Sequence, residues 1–356
     1  MNDSMSAYKP DWLEAKERMT DWWAGKKIGR VAASVIAPAK SGGGFAYIDK
    51  SPEKYIDFDT VSNNLEHRLR GAFWGGDAFP HHAVDLNASM IFFGAEPPFV
   101  SNARRHGSYF GNLDEVISYK NTGESEWWSL LVDMYKKTAA KSDGSFVLEA
   151  IGVFAIIDVM AGLVGDEKLL YAMVDDPEKV MEARDSMMKW IAPTCDMFHG
   201  IASGCNSGGS MSIGVWCPGK MRFSQCDFSV MISPAMFEKY VFEELKALYD
   251  CLDHGIYHLD GEEEIRHLDL ILKLDKVDMI QWVPTTRAGD PGYLDPLNWV
   301  GLIRRIQDAG RKVLVHYTPH DKIKELLNKI DRDLVYLDIR CPDEQTANKA
   351  LIDLEK

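Results

Sequence analysis

No uninterrupted apolar run in this 356-residue chain approaches the roughly 20 residues that a membrane helix requires. The longest such stretch, Phe146 to Val164, is broken by Glu149 and Asp158, so no membrane span is expected. Positive charge is scarce as well: 40 Lys and Arg stand against 54 Asp and Glu, a net charge of -14. Nucleic-acid binders rely on basic stripes that displace counterions from phosphates, and this chain carries none. The polar N-terminus lacks the hydrophobic segment of a secretion signal, which points to a cytoplasmic protein. Six cysteines (Cys195, Cys205, Cys217, Cys226, Cys251, Cys341) in a chain without an export signal read as reduced thiols, not as a disulfide framework. No Cys-x-x-Cys occurs, so any metal site has to be assembled from distant segments.

What the chain does have is 46% hydrophobic content, enough to bury the core of one α/β barrel or of two smaller domains. The pattern favours a single domain over residues 1–356, with 1–145 as an irregular N-terminal elaboration. An aromatic-rich helix with Trp12, Trp22 and Trp23 comes first, and the tryptophans are expected to pack the core. A strand from Arg30 to Ala37 follows, ended by Pro38 and a Ser41–Gly44 loop. Beyond Phe146, short β-rich runs alternate with amphipathic stretches. Strands are expected at Phe146–Ala150, Ser210–Trp216, Gly255–Leu259, Val277–Val283, Lys312–His316 and Leu334–Ile339, most of them followed by a helix. Such alternation means βα units and a parallel sheet. Adding Arg30–Ala37 and Asp77–Ala83 brings the count to eight, the strand number of a (β/α)₈ TIM barrel. A doubly wound open sheet is the alternative, but no Gly-x-Gly-x-x-Gly follows any of these strands.

The strand ends are more polar than strand interiors should be. They carry Glu149, Cys217, His258 with Asp260, Gln281 with Trp282, His316 with Tyr317, and Asp338 with Arg340 and Cys341. In a barrel these groups converge at the carboxyl-end mouth, where active sites form. His258-Leu259-Asp260-Gly261 places an imidazole and a carboxylate two residues apart, hence on one face of a strand. With a thiolate from Cys341, or Cys217 or Cys226 in reserve, they would form a three-ligand zinc site with an open fourth position. The competing reading is a hydrogen-bonded couple without metal. Glu149 inside an apolar run must be paired or hold a raised pKa. Asp227 precedes the expected Pro234 helix and suits either a general base or a helix cap, while His316 and Tyr317 suit proton donation. Gln281, Trp282 and Cys217 complete the list as substrate-binding residues.

Asp227-Phe228-Ser229, Ile232-Ser233-Pro234, Phe237 and His258-Leu259-Asp260-Gly261, with the terminal βα units, resemble the uroporphyrinogen decarboxylase superfamily, in particular its methyltransferase-like branch. Gly76-Asp77-Ala78-Phe79-Pro80 adds weaker support. The resemblance implies a (β/α)₈ barrel and zinc-dependent methyl transfer between a corrinoid protein and a thiol. The branch holds zinc with His-x-Cys-Gly and a later cysteine. Here His258 and Gly261 match, Asp260 replaces the first cysteine, and Cys341 falls near the later one. The chain lacks the Arg-Gln-Ala-Gly-Arg-type motif of true uroporphyrinogen decarboxylases, although Arg68-Leu69-Arg70 and Arg104-Arg105 are basic spots. It also lacks the Asp-x-His-x-x-Gly signature of corrinoid binding, so the corrinoid would sit on a separate protein. The implied partners are a small-molecule substrate and that corrinoid-binding protein, with a homodimer as one open arrangement. Metal-independent decarboxylase or lyase chemistry using Asp227 and His316 is the second reading, and a non-catalytic corrinoid-protein partner the third.

Overall fold

A computed structural model describes residues 4–40, 53–84, 88–95, 109–120, 123–151, 154–204, 208–211, 214–284 and 295–355. Cys205, the Ser41–Gly44 loop and Arg104-Arg105 lie outside them. Eleven strands are present among the described residues: β1 (Ala32–Pro38), β2 (Ala72–Gly76), β3 (His81–His82), β4 (Val147–Leu148), β5 (Gly209–Met211), β6 (Val215–Cys217), β7 (Met221–Ser224), β8 (His254–Asp260), β9 (Val277–Val283), β10 (Lys312–Val315) and β11 (Val335–Arg340). Seven form a mixed sheet in the order β2-β1-β11-β10-β9-β8-β7, in which every neighbouring pair is parallel except β1 and β2. β3 and β4 form a separate parallel pair, and β5 and β6 an antiparallel one.

Strand alternation sorts the side chains into two layers. Ala33, Val35, Tyr257, Leu259, Ile280, Trp282, Val313, Leu337 and Ile339 belong to the cluster packed against the helices. Their neighbours Ala32, Ile256, Met279, Leu314 and Tyr336 face the other way, onto Trp12, Trp22, Trp23 and Trp216. The period of two is what makes this division unavoidable. The expected N-terminal helix, Trp12–Trp23, closes this second layer. Trp22 Nε1 donates to the Asp333 carbonyl and Trp23 Nε1 to the Trp216 carbonyl, both at 2.9 Å.

Two expected strands are corrected. Ser210–Trp216 is not one barrel strand but parts of two short antiparallel strands, separated at Gly214, whose φ of +70° suits a turn. The parallel strand in this region is β7, which begins after that hairpin. β2 occupies the edge of β1 and runs antiparallel to it, pairing Ser34 with Gly76 and Pro38 with Ala72. The expected strand Asp77–Ala83 is a strand only at His81–His82, where it pairs with β4 and not with β1. The first 145 residues are also richer in helix than expected, with helices Phe58–Gly71 and Glu126–Ser142 packed behind the strands.

The chain leaves β2 through a clamp. Asp77 is fully buried and accepts from Arg18 Nε at 2.7 Å, from both Arg30 terminal nitrogens at 2.7 and 3.0 Å, and from the Ala33 amide at 2.9 Å. Gly76 makes the turn before it with φ +67°, where a Cβ would come within 2.5 Å of the Ala33 carbonyl oxygen. Gly76→Ala is therefore expected to cost about 1–3 kcal/mol, visible as a lower urea midpoint with an unchanged slope.

Candidate functional site

Two residues along from the apolar layer, the same sheet face becomes polar. Ala32 is followed by Ser34, Tyr336 by Asp338, Leu314 by His316, Met279 by Gln281 and Ile256 by His258. The same step leads from Phe79 to His81 and from Val147 to Glu149 on the β3–β4 pair. Expected site residues from several strands thus share one face and one level.

The first cluster centres on Asp338, which is completely buried. Arg340 Nε lies 3.0 Å from its Oδ1, and Ser34 Oγ donates to the same oxygen at 3.3 Å. His316 Nδ1 stands 2.9 Å from Oδ2, an ion-pair contact lying off the line of a hydrogen bond. Burial by itself would raise the Asp338 carboxyl. His316, Arg340 and Ser34 outweigh it and hold the group below the ordinary carboxylate range, so it stays ionised. Tyr317 is exposed, has a φ of +50°, and lays its ring against His316 with centroids 3.8 Å apart.

The second cluster contains His258. Its Nδ1 meets Gln281 Oε1 at 2.7 Å across the β8–β9 pairing, so Nδ1 carries the proton and Nε2 is the open nitrogen. Nε2 is 3.8 Å from Asp260 Oδ2, and the Phe223 ring packs on the imidazole at 5.4 Å. Beneath Asp260, buried Glu264 accepts from the Asp260 amide at 3.1 Å and from Ser229 Oγ at 3.3 Å. Burial pushes the Glu264 carboxyl up to about 9, with Asp158, Asp227 and Asp260 adding to the rise. It is protonated at neutral pH.

The third cluster pairs Glu149 with His81 through a short contact from Nδ1 to Oε1. Glu149 is almost wholly buried, and its Oε2 has no hydrogen-bond partner among the described residues. The expected need for a partner is met by a histidine. His81 and Glu264 were not singled out from sequence. His81 was legible in principle, because it stands two residues beyond Phe79 on an expected strand, whereas Glu264 sits in an acidic run that reads as a solvated face.

Four expected residues lie elsewhere. Trp282 is one residue out of step with Gln281, points to the helices, and packs edge-on against Trp299 at 4.9 Å. Cys341 likewise belongs to the helix-facing core, and burial raises its thiol to about 11, against the expected thiolate. Cys217 ends β6 in the tryptophan-lined layer, where burial pushes its thiol far up. Asp227 is held in the turn after β7. Its amide donates to Asp158 Oδ2 at 2.8 Å and its Oδ1 accepts from Gln225 at 2.6 Å, while the Pro234 helix is capped by Ser233, which accepts from the Met236 amide at 3.2 Å. The reserve thiol Cys226 is completely buried and also raised.

The expected zinc set therefore does not converge: His258 and Asp260 share a face that Cys341 does not. Among the described residues no group of three His, Cys, Asp or Glu side chains is placed to hold a metal ion. No helix of the described residues is long and apolar enough to cross a membrane. No family model matches the chain, and no curated protein matches it.

Proposed function

We propose that the sheet and the β3–β4 pair close into a modified barrel of the uroporphyrinogen decarboxylase-like type. Its mouth would carry out acid–base chemistry on a small carboxylate-bearing substrate. In this barrel β2 stands between β1 and β3, as supported by Trp74 of β2 packing edge-on to His81 of β3 at 5.9 Å. A hydrogen bond of 2.8 Å from the Ala155 amide to the Gln225 carbonyl supports approach of the segments just beyond β4 and β7.

The observation that carries the functional reading is the matched setting of two histidines. His258 Nδ1 is hydrogen-bonded to Gln281 and His316 Nδ1 lies 2.9 Å from Asp338 Oδ2, each partner standing on the neighbouring strand, and each ring is partly exposed. A histidine oriented through Nδ1 presents Nε2 for proton exchange. Arg340, 39% exposed and meeting Asp338 through Nε, supplies positive charge for a substrate carboxylate. Loss of carbon dioxide leaves an electron pair on carbon. One imidazolium would protonate it, and the other histidine would position or deprotonate a neighbouring group. This corresponds to the decarboxylase or lyase chemistry of the superfamily, with His258 and Asp260 as a polar couple and His316 as the principal acid.

Zinc-dependent methyl transfer with a corrinoid protein would need a thiolate ligand beside His258, which the described residues do not provide. The test is a panel of small carboxylic acids monitored by NMR for carbon dioxide release. His316→Gln and His258→Gln are each expected to slow turnover by about 10²–10⁴-fold. Wild-type rates in both variants, or methyl transfer to a thiol without carbon dioxide release, would overturn the proposal.

A further inference from the structure

Strand β10 ends at Val315, and the two residues after it break the alternation that orders the rest of the sheet. Val315 pairs with Leu337, and both face the helices. A strand continued for two more residues would send Tyr317 to that same side, beside buried Ile339 and away from His316. Instead Tyr317 enters the left-handed region at φ +50° and is 55% exposed. Its ring comes back over its own predecessor, with centroids 3.8 Å apart and planes tilted by 45°.

Left-handed backbone is strained for a side chain as bulky as tyrosine and unstrained for glycine, so the turn alone gives no reason for a tyrosine here. Thr318 fixes the turn from its far side. It is buried, its amide donates to the Asp338 carbonyl at 2.7 Å, and its hydroxyl donates to the Val315 carbonyl at 3.0 Å. What the tyrosine ring touches is His316, whose own restraint is incomplete. Asp338 Oδ2 lies 2.9 Å from Nδ1 but off the line of a hydrogen bond, so charge draws the imidazole to the carboxylate without fixing its rotation. A second ring in van der Waals contact supplies the missing restraint.

We propose that Tyr317 is a positioning residue for His316: its ring is the wall against which the imidazole is held beside Asp338, with Nε2 left for the substrate. The proposal rests on the reading of His316 as the principal acid, and it gives Tyr317 a role through its ring and not through proton donation by its hydroxyl. A reacting group displaced by about 1 Å loses on the order of 10²-fold in rate, so a residue acting only through its neighbour controls turnover.

Two variants of the full chain test this. Tyr317→Asn removes the ring and suits the left-handed backbone, whereas Tyr317→Phe keeps the ring. The first readout needs no substrate: carbon-13 relaxation of the His316 ring, its signal assigned by its absence in His316→Gln. The order parameter is expected near the rigid value of about 0.85 in the wild type and in Tyr317→Phe, and below about 0.6 in Tyr317→Asn. The second readout is turnover in the carbon dioxide assay. Tyr317→Asn is expected to lose about 10–10²-fold in kcat with KM unchanged, and Tyr317→Phe to recover that loss. A rigid His316 in Tyr317→Asn, or a Tyr317→Phe that loses as much turnover as Tyr317→Asn, would overturn the proposal. Absence of carbon dioxide release from the wild type would instead overturn the function proposed for the mouth, and the relaxation measurement would still decide whether Tyr317 holds His316.

Discussion

Asp338→Asn lowers turnover by about a thousandfold or more and the free energy of unfolding by about 3 kcal/mol. The carboxylate is fully buried, yet His316, Arg340 and Ser34 keep it ionised. An amide of the same shape offers one acceptor in place of two and no charge. It leaves the Arg340 guanidinium and His316 facing a neutral group, and His316 loses the negative charge beside its Nδ1. The pH dependence follows from the sign of the shift. Asp338 sits below its ordinary value of 3.8, so its contribution is present above that value and is lost as pH falls through the lower folded-state value. Urea unfolding of the wild type should therefore show an acid-side decline that Asp338→Asn lacks, and turnover in the carbon dioxide assay should fall well beyond what lost stability explains. Equal acid sensitivity in both proteins would remove Asp338 from this role.

Glu264→Gln acts in the opposite direction, stabilising the protein by about 3 kcal/mol at pH 7. The folded chain holds this carboxyl at about 9 against an ordinary 4.5, chiefly through burial, so folding requires it to take up a proton. Stability from this group is complete below the ordinary value and declines by about 1.4 kcal/mol per pH unit until the folded value is reached. Glutamine removes the titration and keeps both contacts, since its oxygen can accept from the Asp260 amide and its nitrogen can donate to Ser229. The gain over wild type should vanish near pH 4 and widen toward pH 9 in thermal or urea melts. A gain independent of pH would mean that Glu264 does not fold in its protonated form.

These two carboxylates illustrate what sequence does and does not encode. β8 and β9 were legible because Ile256 to Asp260 and Val277 to Val283 are continuous β-rich runs bounded by turn residues, and the residues one step past the apolar layer were legible as site candidates. The errors came where period two was not enforced. Gln281 and Trp282, or Arg340 and Cys341, are neighbours on a strand and cannot share a face, so each pair contained one outward residue. β7 escaped notice because Arg222 sits inside a four-residue strand, buried on the helix side and donating to the Leu248 carbonyl at 3.0 Å. Charge in so short a run looks like a loop. Glu264 escaped for a different reason: its burial depends on the Ser229 turn, 35 residues away in sequence.

The reversed direction of β2 has one more consequence. A strand running against its neighbours delivers its carboxyl end to the bottom of the wall, and there Asp77 is spent on tying Arg18 and Arg30 to the scaffold. In that sector β2 contributes a buried indole, Trp74, which meets His81 edge-on. Among the described residues the proton-carrying groups of this sheet face are thereby unevenly spread, supplied by β8 to β11 and by the β3–β4 pair but by no residue of β2.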